Sequence, residues 1–259
     1  MAAVTFNNKP LPSFVKLVGR EISVLPDLSV KYQELPTQIG GSYLRTEKGV
    51  KKESLDFILI PEQLYDVDSA AREFSDWLRG NDFNPSLIWF DTEDGELPAI
   101  YYMAQVNGSV SVSDLFTHGE LSVEFIYVDP LGTGTVTNTL SSDSYVSSLV
   151  VNYKGTAPAL PSIISVRFIG NASRLVIYAN SDSDKKLTLV GQFKAGDLLL
   201  INSLTRSIRL NNVTNMNLLS VDSQWFNITP QTTRIYFGGT GITSSTISSM
   251  SVVYQDKYY

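Results

Sequence analysis

The sequence has no cysteine and a single histidine, His118, among 259 residues. Those two shortages exclude disulfides, thiol nucleophiles, Cys-based zinc sites, multi-His metal centres and Cys/His dyads. No apolar run approaches the ~20 residues a membrane-spanning helix needs. The opening MAAVTFNNKPLPS lacks a basic segment followed by an apolar core, so neither a signal peptide nor membrane insertion is expected. Basic residues are scarce in the first half: residues 1–129 hold 10 Lys+Arg against 20 Asp+Glu, whereas residues 130–259 hold 10 against 6. An acidic half argues against nucleic acid, whose phosphates demand a basic face, so no specific nucleic-acid binding is expected. The asymmetry suits copies or partners that orient against each other, and equally two solvated surfaces of different composition. Asn-x-Ser/Thr triplets begin at Asn107, Asn171, Asn212 and Asn227. Without an export signal they read as products of an Asn/Ser/Thr-rich composition.

Helical periodicity is also rare. One stretch, residues 68–80, shows it: Ala70/Ala71, Phe74, Trp77 and Leu78 form one apolar stripe, with Glu73, Asp76 and Arg79 turned away. Asp68 is placed to cap its first turn and Gly80 to end it. Everything else reads as short strands. In the first half these are VTF (4–6) with an Asn7-Asn8-Lys9 turn, FVKLVGREISV (14–24), VKKESLDFILI (50–60), LIWF (87–90), LPAIYYMA (97–104) and ELSVEFIYV (120–128). Leu55, Phe57 and Leu59 alternate with Asp56, Ile58 and Ile60; Leu121, Val123, Phe125 and Tyr127 share a face. Asp94-Gly95 is a strong hairpin signal. DPLGTGT (129–135) has no apolar period, and the domain boundary is placed there, giving domains 1–131 and 132–259.

Beyond it Lys and Glu thin out. Short runs recur between turns: SLVVNYK (148–154), SIISVRFIG (162–170), SRLVIYA (173–179), KLTLVG (186–191), DLLLIN (197–202), SIRLNN (207–212), TRIYFGG (233–239) and TISSMSVVYQ (246–255). Regular short strands without a helical period predict a β-sandwich. The fold class expected is mainly β: a β-rich first domain with one amphipathic helix, then a sandwich.

Candidate chemistry is thin. His118, in Thr117-His118-Gly119, is placed in a turn with no orienting partner and makes a poor base. Asp91, Glu93, Asp94 and Glu96 form the densest carboxylates; a glycosidase pair (Asp94 and Glu96), a hard-cation loop and a solvated hairpin tip all remain open. Trp225, Phe226, Tyr236 and Tyr254 are core candidates, with Trp225 and Tyr236 also open as sugar-stacking residues. Gly238-Gly239-Thr240-Gly241 precedes no helix, which argues against a phosphate cradle. No catalytic residue, metal or cofactor is assigned.

The order of these features resembles the distal tail proteins of long-tailed, non-contractile bacteriophages. Across roughly residues 14–131 the resemblance rests on a strand pair GGSYLRTEKGVKKESLDFILI (40–60), the helix ending WLRG (77–80), the hairpin LIWFDTEDGELPAIYYMA (87–104) and a strand ending FIYVDP (125–130). In the second half, VVNYKGTAPALPSIISVRF (150–168), INSLTRSIRLNN (201–212) and QWFNITP (224–230) are similar to the family's galectin-like β-sandwich; Pro230-Gln231 stands where the family often has Pro-Gly. The resemblance implies a structural, non-enzymatic virion protein at the tail tip, assembled in the host cytoplasm. It implies a homohexameric ring built by the first domains, with the major tail protein above, a tail-associated hub or fibre protein below, receptor-binding proteins in some phages, and an axial channel for DNA. VKKESLDFILI and its neighbours are the expected ring contacts. The alternative is a protein that binds host cell-wall glycan through the second domain.

Overall fold

Asn7 and Asn8 take φ values of 50° and 60°, the left-handed pair of a tight hairpin turn. They join β1 (Val4–Phe6) to β2 (Lys9–Pro10). The computed structural model describes residues 4–22, 28–34, 41–82, 84–90 and 100–259. The chain divides into two units, Met1–Thr133 with Tyr259, and Gly134–Tyr258.

In the first unit follow β3 (Val15–Ile22), β4 (Leu28–Glu34), β5 (Gly41–Lys48), β6 (Lys51–Leu59), α1 (Val67–Arg79), β7 (Ser86–Phe90), β8 (Ile100–Val106), α2 (Val112–His118) and β9 (Glu120–Tyr127). The main sheet runs β3-β6-β9-β8-β7-β1-β2, antiparallel throughout. Along β6 and β9 the expected alternation holds: Leu55 and Phe57 are buried, as are Val123, Phe125 and Tyr127. α1 lays Ala70, Phe74, Trp77 and Leu78 on that face. Trp77 stacks on Phe74 and meets Phe6 and Phe57 edge to face, with ring centroids 5.7–5.8 Å apart. Burying the three large side chains stabilises the helix on the sheet by about 6 kcal/mol, at roughly 2 kcal/mol each.

The sequence places this helix well but not its cap. Asp66, not Asp68, is the N-cap, its carboxylate accepting from Ser69 N–H at 2.9 Å. A second helix, α2, also appears where a loop was expected. Its seven residues are too few to show a period, and only Leu115 is fully buried. Ser111 at its N-cap, Asp114 in its first turn and a left-handed Gly119 after it are the signals that mark it. The expected strand pair across residues 40–60 is also different: β5 pairs with β4, and β6 with β3 and β9. The Asp94-Gly95 hairpin tip lies outside the described residues.

The second unit holds β10 (Gly132–Ser142), β11 (Ser148–Val150), β12 (Ile163–Phe168), β13 (Ala172–Ala179), β14 (Leu187–Phe193), β15 (Leu198–Asn202), β16 (Ser207–Leu210), β17 (Val213–Thr214), β18 (Arg234–Gly238) and β19 (Ile247–Tyr258). One sheet is ordered β17-β16-β15-β12-β19-β10, the other β11-β18-β13-β14. Their inner faces share one core, with Phe168 stacked on Phe193 at 4.7 Å. This is a two-sheet sandwich. β10 was not foreseen, because GTGTVTNTLSS carries no apolar alternation and its Val136 points to solvent. Gly239 is dictated by packing: at φ 141°, a Cβ there would lie 2.0 Å from the Arg174 carbonyl.

Candidate assembly site

His118 is the last residue of α2, not a turn residue between strands. Among the described residues no three His, Cys, Asp or Glu side chains converge to hold a metal. The carboxylates Asp91, Glu93, Asp94 and Glu96 lie outside the described residues. Of the aromatics, Phe226 and Tyr254 are buried core. Trp225 is half-buried against the sandwich core. Tyr236, on the outer face of β18, stacks on Tyr178 of β13 at 5.1 Å, and the Lys186 ammonium lies 5.2 Å from the Tyr178 ring. One face of Tyr236 is thus occupied by a neighbouring ring. Trp225 and Tyr236 are not brought together as one platform by any contact described.

What the structure does assemble lies in the first unit, on both faces of β6. On the inner face the alternation that buries Leu55 and Phe57 continues back to Glu53 and Lys51, which are 2% and 4% exposed. Glu53 is ion-paired and hydrogen-bonded with the Arg20 guanidinium, and that guanidinium sits 3.7 Å from the centre of the Phe90 ring. Lys51 Nζ lies 5.5 Å and 5.8 Å from the Tyr102 and Tyr127 rings. Burial lowers the Lys51 pKa, because it disfavours the ammonium; the Glu53 charge pulls the other way. Burial, then the adjacent Glu53 charge, pushes the Tyr127 hydroxyl upward, so it stays protonated. That hydroxyl finds no hydrogen-bond partner among the described residues. No sequence period signals this cluster, because a charged pair on a strand's core face looks like the end of the hydrophobic run. The clue was the unbroken spacing Lys51, Glu53, Leu55, Phe57.

On the outer face, β3 bulges at Val18 between Leu17 and Gly19. The register there sets Gly19 beside Asp56 and Asp56 beside Ser122, with Ile58 beside Glu120. Gly19 has no side chain to fill the bulge, and a Cβ would lie 2.4 Å from Asp56 Oδ2. The result is an open depression of about 590 Å³, lined by Val18, Asp56, Ile58, Glu120 and Ser122 among others. Ser122 donates a hydrogen bond to Asp56. β6 is paired on both sides, so it has no free backbone edge; any contact it makes with another molecule runs through this outer face.

Residues 154–258 match the model of the siphovirus-type tail component, C-terminal domain. The second unit is thus similar to a siphovirus-type tail component domain. The whole chain superposes on the Dit protein (gp 19.1) of SPP1, described as a paradigm of the hub adsorption apparatus in phages infecting Gram-positive bacteria. It does so with a TM-score of 0.70 over 100% of both chains at 16% identity. A chain of the phage P2 baseplate, in its activated conformation with Ca, aligns over 98% of each chain at 8% identity, with a TM-score of 0.44 that carries no argument. A comparison with curated protein sequences finds no match. The chain is mainly β; its second unit is similar to a siphovirus-type tail component domain, and its fold is similar from end to end to that of SPP1 Dit.

Proposed function

We propose that this tail component forms a ring, a hexamer by resemblance, at the distal end of the tail tube. The first unit makes the ring and the second projects outward. The major tail protein sits above it and the tail-associated hub or fibre protein below. The ring leaves an axial channel for DNA and, in some virions, carries receptor-binding proteins. Assembly takes place in the host cytoplasm. The observation that carries this reading is co-linearity: a tail-component domain in residues 154–258, within a chain whose two units follow the SPP1 Dit fold from end to end. The strongly acidic first half supports a channel past which DNA slides, because like charge repels phosphate.

The test is native mass by light scattering, with negative-stain images of the same peak. A six-fold ring with a central hole is expected. A monomer at every concentration, alone and mixed with the major tail protein, overturns the reading.

A further inference from the structure

In the second unit, the outer face of the sheet β11-β18-β13-β14 carries charge of one sign. Its four strands contain no Asp or Glu. Arg174 on β13, Arg234 on β18, and Lys186 and Lys194 flanking β14 are all exposed. Among the described residues none of these cations is ion-paired. Arg234 donates to Ser148 Oγ at 3.0 Å, and Lys186 rests on the Tyr178 ring. From the Tyr178 row back to Arg174, β13 runs about 13 Å at ~3.3 Å per residue. Unpaired cations spread over such a length suit an extended anion.

At one end of this face the register between β13 and β14 slips. Ala172 faces Phe193 and Arg174 faces Val190, so Ser173 stands against Gly191 and Gln192 together. Such a bulge re-aims side chains. An open depression of about 340 Å³ lies there, lined by Asn171, Ser173, Gln192, Phe193, Lys194 and Gly241 among others. Asn171 and Ser173 are the ends of an Asn-x-Ser triplet, and Gly241 ends the glycine-rich loop, two motifs that the ring does not use. Among the described residues, the side chains of Asn171, Ser173, Gln192 and Lys194 have no hydrogen-bond partner. Their donors and acceptors are open to a ligand.

We propose that this face binds a phosphate-bearing glycan, with one sugar seated in the depression beside Lys194 and the chain running along β13, past Arg174, towards Lys186 and Arg234. The depression falls within the ~300–1,000 Å³ of small-ligand sites. Its amides and hydroxyl suit sugar hydroxyls, which both donate and accept. The cations suit the anion. Phosphate takes donors from several directions, from Arg forks and Lys alike, whereas a planar carboxylate has two oxygens and leaves more donors idle. A peptide adding as a strand has no place beside β14, because that edge is covered. Leu219 bridges Leu189, and the Ser220 and Gln224 N–H groups donate to the Thr188 and Lys186 carbonyls. The inference goes beyond the ring reading and holds for ring and monomer alike.

The test measures binding of the purified full-length chain to phosphorylated dextran, to carboxymethyl-dextran of equal charge density and to plain dextran, by biolayer interferometry. Phosphorylated dextran should bind roughly ten-fold tighter than either of the others, and more weakly as salt rises. Inorganic polyphosphate, which has the charge without the sugar, should compete roughly ten-fold less well per phosphate. Arg174→Gln/Lys194→Gln should weaken binding of phosphorylated dextran roughly ten-fold, about the loss of one charge-assisted hydrogen bond. Arg167→Gln/Arg209→Gln makes the same charge change at exposed positions of the other sheet and should leave binding unchanged. Asn171→Ala/Gln192→Ala keeps the charge and should erase the preference over polyphosphate. Thermal midpoints equal to wild type show that each variant is folded. No binding to phosphorylated dextran overturns the proposal, and so does an equal loss from both charge pairs, which reduces it to general basicity. Equal binding of carboxymethyl-dextran overturns the phosphate assignment. Polyphosphate competing as well as the glycan overturns the sugar, and poly-glutamate binding tighter than the glycan replaces it with an acidic protein partner. None of these outcomes bears on the ring, which the scattering mass tests separately.

Discussion

Glu53→Gln is the most informative single change in the first unit. The wild-type carboxylate is fully buried and paired with Arg20, whose side chain keeps 26% of its exposure, and Lys51 lies two residues back on the same buried face. Removing the negative charge leaves two cations at the end of an aromatic core. Breaking a buried ion pair from one side costs about 3–5 kcal/mol, and the partial exposure of Arg20 puts this site near 3 kcal/mol. For a unit of this size each kcal/mol moves the midpoint by roughly 3–4 °C, so a fall of about 10 °C is expected. The assay is a thermal melt followed by tryptophan fluorescence in a Trp225→Phe background, where both remaining tryptophans, Trp77 and Trp89, belong to the first unit. The pH dependence adds a sign. Burial already lowers the Lys51 pKa, so its folded value lies below its unfolded one; with Glu53 neutralised nothing opposes that shift. The unfolded chain then binds more protons, and the variant should recover stability as pH rises from 7 towards 10. The triple change Arg20→Met/Lys51→Met/Glu53→Leu, which removes every charge and keeps volume, should regain most of the loss. A midpoint shift below ~3 °C for Glu53→Gln, or a triple variant no better than the single, refutes the buried-charge account.

Tyr127→Phe removes a buried hydroxyl without a described partner, so urea titration should show a stability unchanged or raised by up to ~1 kcal/mol; a loss above that shows the hydroxyl is bonded. Trp77→Ala should cost the first unit about 3–5 kcal/mol. Trp77→Phe should cost only about 1–2 kcal/mol, because it keeps the ring but drops the 3.0 Å bond from Nε1 to the Lys9 carbonyl; equal losses refute that division. In the second unit, Tyr153 accepts from Lys257 N–H and donates to the Ala157 carbonyl, and burial foremost raises its pKa to about 12. A tyrosine raised above its unfolded value of ~10 stabilises fully below that pH and loses its contribution as pH climbs through 12. Alkaline melts should therefore fall from about pH 10 in wild type and less steeply in Tyr153→Phe. Glycan stacking predicts that Trp225→Ala or Tyr236→Ala lowers retention on host cell walls at least ten-fold; unchanged retention removes that reading.

Short-range pattern was enough to place most elements. The stripe Ala70, Phe74, Trp77, Leu78 can only be one face of a helix, and Leu55/Phe57 or Val123/Phe125/Tyr127 one face of a strand, because side-chain direction is fixed by backbone period. The order of strands, turns and helix likewise sufficed for the resemblance to tail proteins that residues 154–258 and the whole-chain fold then supported. Where the pattern is weak the sequence misled or was silent. α2 is shorter than two helical turns, β10 is built from Gly, Thr and Ser, and the N-cap moved from Asp68 to Asp66 because capping depends on where the chain turns. Pairing between distant strands is not written in any local window, which is why β5 and β6 looked like partners but join β4 and β3 instead.

The candidate site belongs wholly to that second category. Asp56, Ser122 and Gly19 are far apart in sequence and become neighbours through register alone. Lys51 and Glu53 precede the apolar alternation that begins at Leu55, yet the sheet turns them inward to Arg20 and the tyrosines. The sequence by itself determined the class of each element and the imbalance of charge, because both are local or additive properties. Only the tertiary structure decided which charges are buried and where the outer face opens, because those follow from long-range pairing that brings distant residues within reach of one another.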